Sequence, residues 1–134
     1  GDGLSNVNIA DVVKYHNSHD GIITLTAVQH EEKYGLITLG DNDTKVTTFH
    51  EKPKGGQGWI NGGFFVCSNE VFKYISNDAN CIFEKKPLES ISNDGKLFAF
   101  KHRDFWQAMD SLKDKNTLEY LWETNKAQWK VWKD

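Results

Sequence analysis

The stretch "TTFHEKPKGGQGWINGGFF", residues 47–65, carries the clearest structural signal in the chain. An alternating run leads into the Glu-Lys-Pro of residues 51–53, a glycine-rich turn follows, and the Asn-Gly-Gly of residues 61–63 opens a second apolar run. Two consecutive glycines weaken a strand, so they need a reason such as the close approach of a ligand or of another backbone. The stretch therefore predicts two strands joined by a turn, with a ligand or another backbone lying against residues 61–63.

Periodic patterns on either side of this stretch predict further strands and helices. β-branched or alternating runs favour strands, and apolar residues repeating every three to four positions favour helices. The predicted strands span residues 22–29, 34–39, 45–51, 60–68, 96–102 and 105–109. The predicted helices span residues 9–16 with Asn8 as cap, 69–75 with Asn69 as cap, 83–92 with Pro87 near the first turn, and 112–132. This order predicts one α/β domain over residues 1–134, with a mixed sheet flanked by helices.

Composition describes an ordinary globular chain. Its 134 residues are 38% hydrophobic, and a chain of this size buries roughly two-thirds of its unfolded surface, which needs no disulfide or metal for stability. Cys67 and Cys81 are therefore expected to be free thiols, as in a reducing cytosol, with a disulfide as the less favoured alternative. Sixteen basic and 19 acidic residues give a net charge of −3 without a long run of one sign, which predicts no nucleic-acid or anionic-lipid partner.

The sequence shows no targeting motif and no motif for nucleophilic catalysis. No stretch approaches the roughly 20 apolar residues of a membrane span, and no charged-then-apolar leader opens the chain, so a cytoplasmic protein is expected. The five histidines are predicted to have separate surface or strand-end roles, rather than to form a ligand set. They are His16, His19, His30, His50 and His102. No Ser-His-Asp order or C-x-x-C pair suggests nucleophilic catalysis by a side chain.

Four stretches, in this order, resemble the C-terminal half of the sugar-phosphate nucleotidyltransferases. They are "GDGLSNVNI", "HEKPKGGQGWINGGFF", "FEKKPLE" and "FWQAMDSLKDK", and they extend over nearly all 134 residues. Within the family, the resemblance is strongest to the members that join CTP and glucose 1-phosphate. It implies the C-terminal part of a Rossmann-like nucleotidyltransferase fold. The family's N-terminal half, with its phosphate-cradling "L-x-G-G-x-G-T-R" loop, is not among these residues.

The resemblance implies a catalytic set of Asp2, Asp110 and Lys52. In the family, two aspartates hold Mg²⁺, and these map onto Asp2 and Asp110, while the lysine of "E-K-P" binds the sugar phosphate and maps onto Lys52. Magnesium takes oxygen ligands and is commonly held by one or two carboxylates plus substrate phosphates. From the residues alone, Asp110 could instead cap the helix that begins near Leu112, Asp2 could be a turn residue, and Lys52 could lie on an exposed charged loop.

The resemblance also implies a hexose subsite around the Asn-Gly-Gly step. Glu51 would lie near the hydroxyls of the hexose, and Asn61 would offer them a bidentate amide. A β-carbon at Gly62 would occupy the space of the sugar. Trp59 and Trp106 would either form apolar walls for the ring or belong to the core.

The implied reaction of the intact enzyme is nucleotidyl transfer from CTP to glucose 1-phosphate, giving CDP-glucose and pyrophosphate. This chain would carry the sugar-phosphate side and one or two metal ligands, and is expected to be inactive alone. The alternative is a noncatalytic hexose-phosphate-binding or oligomerisation module. An aromatic stripe on the last predicted helix would form a core face or a subunit contact, and a homo-oligomer is expected. Its members are Tyr120, Trp122, Trp129 and Trp132.

Overall fold

The computed structural model describes residues 2–29, 37–39, 45–49 and 58–133. These residues form two compact units, a terminal unit built from residues 1–8 and 103–134 and a central unit built from residues 9–102. The strands are β1 Gly3–Ser5, β2 Ile23–Gln29, β3 Ile37–Leu39, β4 Val46–Phe49, β5 Trp59–Asn61, β6 Val66–Cys67, β7 Leu97–Lys101 and β8 Trp106–Ala108. The helices are α1 Ile9–His16, α2 Lys86–Asn93 and α3 Leu112–Glu123, with a 3₁₀ helix at Asn69–Tyr74. That residues 1–134 form a single domain stays a prediction.

Strand β2 is the centre of the central unit. It pairs in parallel with β7 on one edge and antiparallel with β5 and β6 on the other, so the sheet is mixed. Residues 23–28 are buried, which explains why the sequence here is continuously apolar or threonine instead of alternating. The prediction of an α/β fold with a mixed sheet and flanking helices is confirmed, and the predicted hairpin of β3 and β4 is observed.

The two faces of β2 pack against different helices. Successive side chains of a strand point to opposite faces. Leu25 lies in a buried cluster with Leu88 and Ile91 of α2, and all three side chains are fully buried. Thr24 points the other way and contacts His16 of α1. The sheet therefore lies between α1 and α2.

The predicted strand over residues 60–68 is interrupted, and this prediction is wrong in one respect. Asn61 pairs with Ala27, and Val66 pairs with Thr24, so four residues, 62–65, stand opposite two residues of β2. The extra residues leave the ladder through a turn of left-handed backbone, with φ of 80° at Gly63 and 50° at Phe64. The double glycine therefore lies in a four-residue bulge between two short strands.

The helices between β6 and β7 differ from prediction at their ends. The segment after β6 is a 3₁₀ helix, and its N-cap is Ser68 instead of Asn69. Helix α2 begins at Lys86, three residues later than predicted, which places Pro87 in its first turn, where a proline costs no hydrogen bond.

In the terminal unit, β1 pairs antiparallel with β8, and α3 follows β8 directly. The predicted helix over residues 112–132 is wrong after Glu123, because Asn125 adopts a left-handed backbone with φ of 57° and ends it. The chain then returns, so that Trp129 stacks on Trp122 of α3 at 6.4 Å and on Phe105 at 5.8 Å between ring centroids. Of the predicted aromatic stripe, Trp122, Trp129 and Trp132 therefore form a cluster between α3 and the segment that follows it, whereas Tyr120 is exposed.

The prediction of separate roles for the histidines is wrong for His16 and His19, which share Thr24. Gly21 N–H donates to His19 Nδ1 (2.9 Å), so the neutral ring carries its proton on Nε2, 2.6 Å from Thr24 Oγ1. The Thr24 hydroxyl can then donate to His16 Nδ1 (2.8 Å), and His16 Nε2–H to Ser68 Oγ (2.9 Å). The bond from Gly21 requires a neutral His19, because a protonated ring would present an N–H to the Gly21 N–H. His30 and His50 lie outside the described residues.

We expect the free energy of unfolding to fall as the pH drops below about 6.5, the ordinary pKa of histidine. Burial lowers the pKa of His16, and burial followed by the charge of His16 lowers the pKa of His19. The unfolded chain therefore takes up these protons at a higher pH than the folded chain. The stabilisation by the neutral rings is complete above the unfolded pKa and is lost as the pH falls through the folded values.

Urea unfolding at about pH 7.5 and about pH 5.5 measures this loss. The His19→Gln variant, whose side chain does not titrate, should lose less stability between the two pH values than the wild-type chain. Equal losses would contradict the assignment of these rings as neutral in the folded state.

Candidate functional site

The β1–β8 ladder brings Asp2 and Asp110 together. Gly3 pairs with Ala108, and one position further along, Met109 N–H donates to the Asp2 carbonyl at 2.6 Å. Asp110 is the next residue. The two aspartates, far apart in sequence, therefore flank the same end of this ladder.

The carboxylate of Asp110 is not used to cap α3, so that interpretation of the sequence is wrong. Ser111 is the N-cap, and its hydroxyl accepts a hydrogen bond from Asp114 N–H at 3.1 Å. Asp114 in turn accepts a hydrogen bond from the backbone N–H of Asp110, also at 3.1 Å. The helix start is satisfied by its neighbours, which leaves the Asp110 carboxylate exposed.

These two aspartates fit the donor set of a magnesium ion that is shared with substrate. Both residues are exposed, and neither carboxylate accepts a hydrogen bond from the residues described by the structure. Magnesium keeps several of its waters and is usually held by one or two carboxylates together with phosphate oxygens. Two carboxylates at one strand end meet that requirement, and no larger group of metal-binding side chains occurs in the described part of the chain.

A second group of candidate residues lies in the central unit, at the bulge between β5 and β6. Asn61 N–H₂ donates to Glu84 Oε2 at 2.8 Å, and Asn61 Oδ1 accepts from Gly63 N–H at 2.9 Å. The amide cannot be reversed, because a carboxylate only accepts and a backbone N–H only donates. With respect to the described part of the chain, the Asn61 amide retains one N–H and one lone pair, which are the groups that two sugar hydroxyls would need.

The reason expected for glycine at position 62 is wrong. A Cβ there would lie 2.9 Å from Cγ1 of Val28 and 3.1 Å from the Thr26 carbonyl oxygen, so it would collide with the protein's own β2 strand. Gly62 N–H also donates to that carbonyl, at 2.8 Å. At Gly63, by contrast, a Cβ would meet nothing within 4 Å. The open side of the step is therefore at Gly63. Gly62 holds the bulge to β2 through its backbone N–H.

Glu84 is the residue at this step that the sequence did not single out. It lies within "FEKKPLE", but nothing local indicates that it contacts an asparagine 23 positions earlier. One pattern could have drawn attention to it. Glu84 is a charged residue that directly follows an aromatic residue packed against the core, Phe83, and lies just before a helix. Glu51 and Lys52, the other predicted residues of this subsite, lie outside the described residues.

The two candidate wall tryptophans are both half-buried. Trp59 packs against the core of the central unit, with Lys101 Nζ 5.6 Å from its ring centroid. Trp106 lies across the β1–β8 ladder, where a Cβ on Gly3 would come within 3.1 Å of its indole nitrogen. Glycine at position 3 therefore lets the indole lie flat against the strand. A sugar-binding role for Trp106 stays a prediction.

Comparison with known proteins identifies the class of protein. The family model for nucleotidyl transferases matches residues 1–134, and the chain belongs to this family. Over 132 residues it is 42% identical to the glucose-1-phosphate cytidylyltransferase of Salmonella typhimurium and 38% identical to the probable glucose-1-phosphate cytidylyltransferase of Bacillus subtilis. Each alignment covers 98% of this chain but only 50% and 51% of the relative, so the chain spans about half the length of the curated relatives it matches.

Solved structures show the same fold. A Bacillus anthracis protein provisionally assigned as a glucose-1-phosphate thymidylyltransferase matches with a TM-score of 0.73 over 99% of this chain and 54% of its own, at 15% identity. HddC from Yersinia pseudotuberculosis matches with a TM-score of 0.68 over 87% of this chain and 50% of its own, at 19% identity. At these identities the structures support the fold alone.

Proposed function

We propose that this chain supplies the sugar-phosphate and metal-binding part of an enzyme that transfers a cytidylyl group from CTP to glucose 1-phosphate. A phosphate oxygen of the sugar phosphate attacks the α-phosphorus of CTP, the bond to the β-phosphate breaks, and CDP-glucose and pyrophosphate are formed. The observation that carries the proposal is the 42% identity over 98% of the chain to the glucose-1-phosphate cytidylyltransferase of Salmonella typhimurium.

The residues of the chain contribute position and charge. Lys52 would bind the phosphate of glucose 1-phosphate, and Glu51 and Asn61 would hold the hexose hydroxyls. Trp106 is proposed as an apolar wall of the site. Holding the two reactants in line supplies much of the rate enhancement for such a displacement, so no side-chain nucleophile is needed.

Asp2 and Asp110 would hold Mg²⁺. When bound, the ion neutralises charge on the phosphate oxygens and fixes their orientation. The two carboxylates would keep the positive charge of the ion at one end of the β1–β8 ladder. Their exposure and their lack of hydrogen bonds among the described residues support this role.

We extend the proposal to location and assembly. A cytoplasmic homo-oligomer is proposed. Among the described residues, no helix is long and apolar enough to cross a membrane. The exposed fractions of Trp122 and Trp132, 49% and 53%, favour a subunit contact at the aromatic cluster of the terminal unit. Sedimentation velocity of the purified chain tests the assembly, and a monomer at all concentrations would contradict it.

The decisive experiment compares the 134-residue chain with a chimera in which the N-terminal half of the Salmonella typhimurium relative precedes Gly1. Both are incubated with CTP, glucose 1-phosphate and Mg²⁺, and pyrophosphate release is measured. We expect release from the chimera and none from the chain alone. If the chain binds glucose 1-phosphate but the folded chimera forms no CDP-glucose, the result favours the alternative, a noncatalytic hexose-phosphate-binding module. That alternative is considered because the chain matches only about half the length of its relatives.

The substitution Lys52→Ala in the chimera should raise the KM for glucose 1-phosphate and lower kcat/KM. A hydrogen bond to a charged group is worth about 1.5–3 kcal/mol, which corresponds to about a 10- to 150-fold loss in kcat/KM. The matched control is Lys54→Ala, which removes the same charge two positions away. Equal losses for the two variants would show that only the general positive charge of residues 52–54 matters.

A further inference from the structure

We propose that Glu84 is a residue of the sugar site: its carboxylate orients the Asn61 amide and accepts a hydrogen bond from a hydroxyl of the hexose. The inference rests on the proposed function, since it takes the ligand at residues 61–63 to be a hexose phosphate. No feature of the sequence assigns Glu84 this role. It follows from the contacts that this side chain makes.

The Asn61 amide is held at both ends. Glu84 holds one N–H of Asn61 at 2.8 Å, and Gly63 N–H holds the amide oxygen at 2.9 Å, so both ends of the amide are fixed. Glu84 uses one carboxylate oxygen for this bond, and no other described residue bonds the second oxygen. The pair therefore presents one N–H donor and several acceptor positions side by side. Hydroxyl groups satisfy such a surface, because each one both donates and accepts.

The Glu84 carboxylate is carried by an anchored segment. Phe83 packs edge-to-face on Phe65 at 5.2 Å between centroids, and both rings pack against the core of the central unit. Lys85 N–H closes a turn on the Ile82 carbonyl at 3.1 Å, and α2 begins at the next residue. Glu84 is nevertheless exposed. An exposed carboxylate on a fixed backbone, directed at an open bulge, is suited to a ligand because little ordering is needed on binding.

The charge of Glu84 sets the orientation of the ligand. A carboxylate binds neutral hydroxyls through charge-assisted hydrogen bonds, which are stronger than bonds between neutral groups. The same charge repels a phosphate. Glu84 must therefore face the hydroxyl edge of the hexose, with the phosphate directed away from the bulge. This orientation agrees with the proposed role of Lys52 as the phosphate-binding residue.

Calorimetry on the 134-residue chain tests the inference with two probes, glucose 1-phosphate and inorganic phosphate. We expect Glu84→Ala to weaken glucose 1-phosphate binding about 10-fold or more and to leave phosphate binding unchanged. Glu84→Gln should fall between wild type and Glu84→Ala, because its amide oxygen can still accept from Asn61. The matched control is Glu89→Ala, an exposed glutamate in the first turn of α2, which should bind both probes like the wild-type chain.

A series of deoxyglucose 1-phosphates, each lacking one hydroxyl, separates direct contact from a structural effect. The wild-type chain should bind at least one member more weakly than glucose 1-phosphate, and that difference should vanish in Glu84→Ala, because the two changes remove the same bond. The side-chain amide NMR signals of Asn61 should also shift in Glu84→Ala without ligand and return toward the wild-type position in Glu84→Gln.

Two results overturn the inference, and they are distinguishable. If the wild-type chain binds glucose 1-phosphate and Glu84→Ala binds it equally well, with the same deoxy-sugar pattern, Glu84 is not part of the site while the proposed function stands. If the wild-type chain does not bind glucose 1-phosphate at all, residues 61–63 are not a sugar site in this chain. That result removes the present inference together with the sugar-phosphate part of the proposed function.

Discussion

The substitution Asp110→Asn in the chimera is expected to lower kcat by about 100- to 1,000-fold, the range found when a single group that stabilises transition-state charge is removed. The substitution keeps the shape of the side chain but removes its charge. Because the Asp110 carboxylate is exposed and does not cap α3, the stability of the protein should not change. Rates of pyrophosphate release at saturating CTP and glucose 1-phosphate, with thermal unfolding of the same samples, measure both effects.

Asp2→Asn should behave in the same way, because Asp2 lies at the same end of the β1–β8 ladder. Asp104→Asn is the matched control. Asp104 is also an exposed aspartate of the terminal unit, and its side-chain oxygen accepts a bond from Phe105 N–H at 2.7 Å, which asparagine can also accept. A full rate in Asp110→Asn would exclude that residue from catalysis.

A measurement without turnover tests the metal site independently. Mn²⁺ is a paramagnetic substitute for Mg²⁺ and should broaden the backbone NMR signals around residues 2 and 110 of the 134-residue chain before all others. The Asp110→Asn variant should need more Mn²⁺ for the same broadening. Broadening that begins elsewhere in the chain would place the ion away from these two carboxylates.

Those parts of the fold that depend on local sequence were predictable. Helix α1 was expected over residues 9–16 and is observed there, because its apolar positions repeat at helical spacing before a turn-rich segment. Strand β2 was expected from a β-branched run and is observed within one residue at its start. Pro87 was expected near a helix start, since its fixed φ and missing N–H are tolerated in the first turn.

Features that depend on distant pairing could not be predicted. The run over residues 60–68 has strand composition throughout, and only the register of its two ends against β2 reveals the bulge. The aromatic residues after position 120 have helical spacing, but the left-handed backbone of Asn125 ends α3 and lets Trp129 fold back. The order of residues likewise gave no sign that His16 and His19 would meet at Thr24.

The candidate site, like the fold, was predictable only in part. Family motifs named Asp2 and Asp110, and the structure places them at one strand end, an arrangement that depends on β1 pairing with β8. The same motifs named Gly62 for a reason that the structure overturns. Motif matching identifies a residue without its surroundings, so it could not tell a glycine required by a neighbouring strand from one required by a ligand.

Gly62→Val is expected to destabilise the chain by about 3 kcal/mol or more, at the upper end of the range for overpacked sites. The first added atom would already lie 2.9 Å from Val28 Cγ1 and 3.1 Å from the carbonyl oxygen of Thr26, and both of these residues are buried. The carbonyl cannot retreat, because it accepts the Gly62 N–H bond that holds the bulge to β2. Native domains are stable by only about 5–15 kcal/mol, so this loss is a large fraction of the total.

Gly63→Ala is the matched comparison, because it alters the neighbouring glycine without a collision. Its Cβ would meet nothing within 4 Å, and the only cost is the left-handed backbone at φ of 80°, about 1–2 kcal/mol. Urea unfolding should therefore rank the variants as wild type, Gly63→Ala, Gly62→Ala and Gly62→Val, from most to least stable. If Gly62→Ala were as stable as the wild-type chain, the close approach of the bulge to β2 would be wrong. The glycine would then have to be explained by a ligand, as the sequence first suggested.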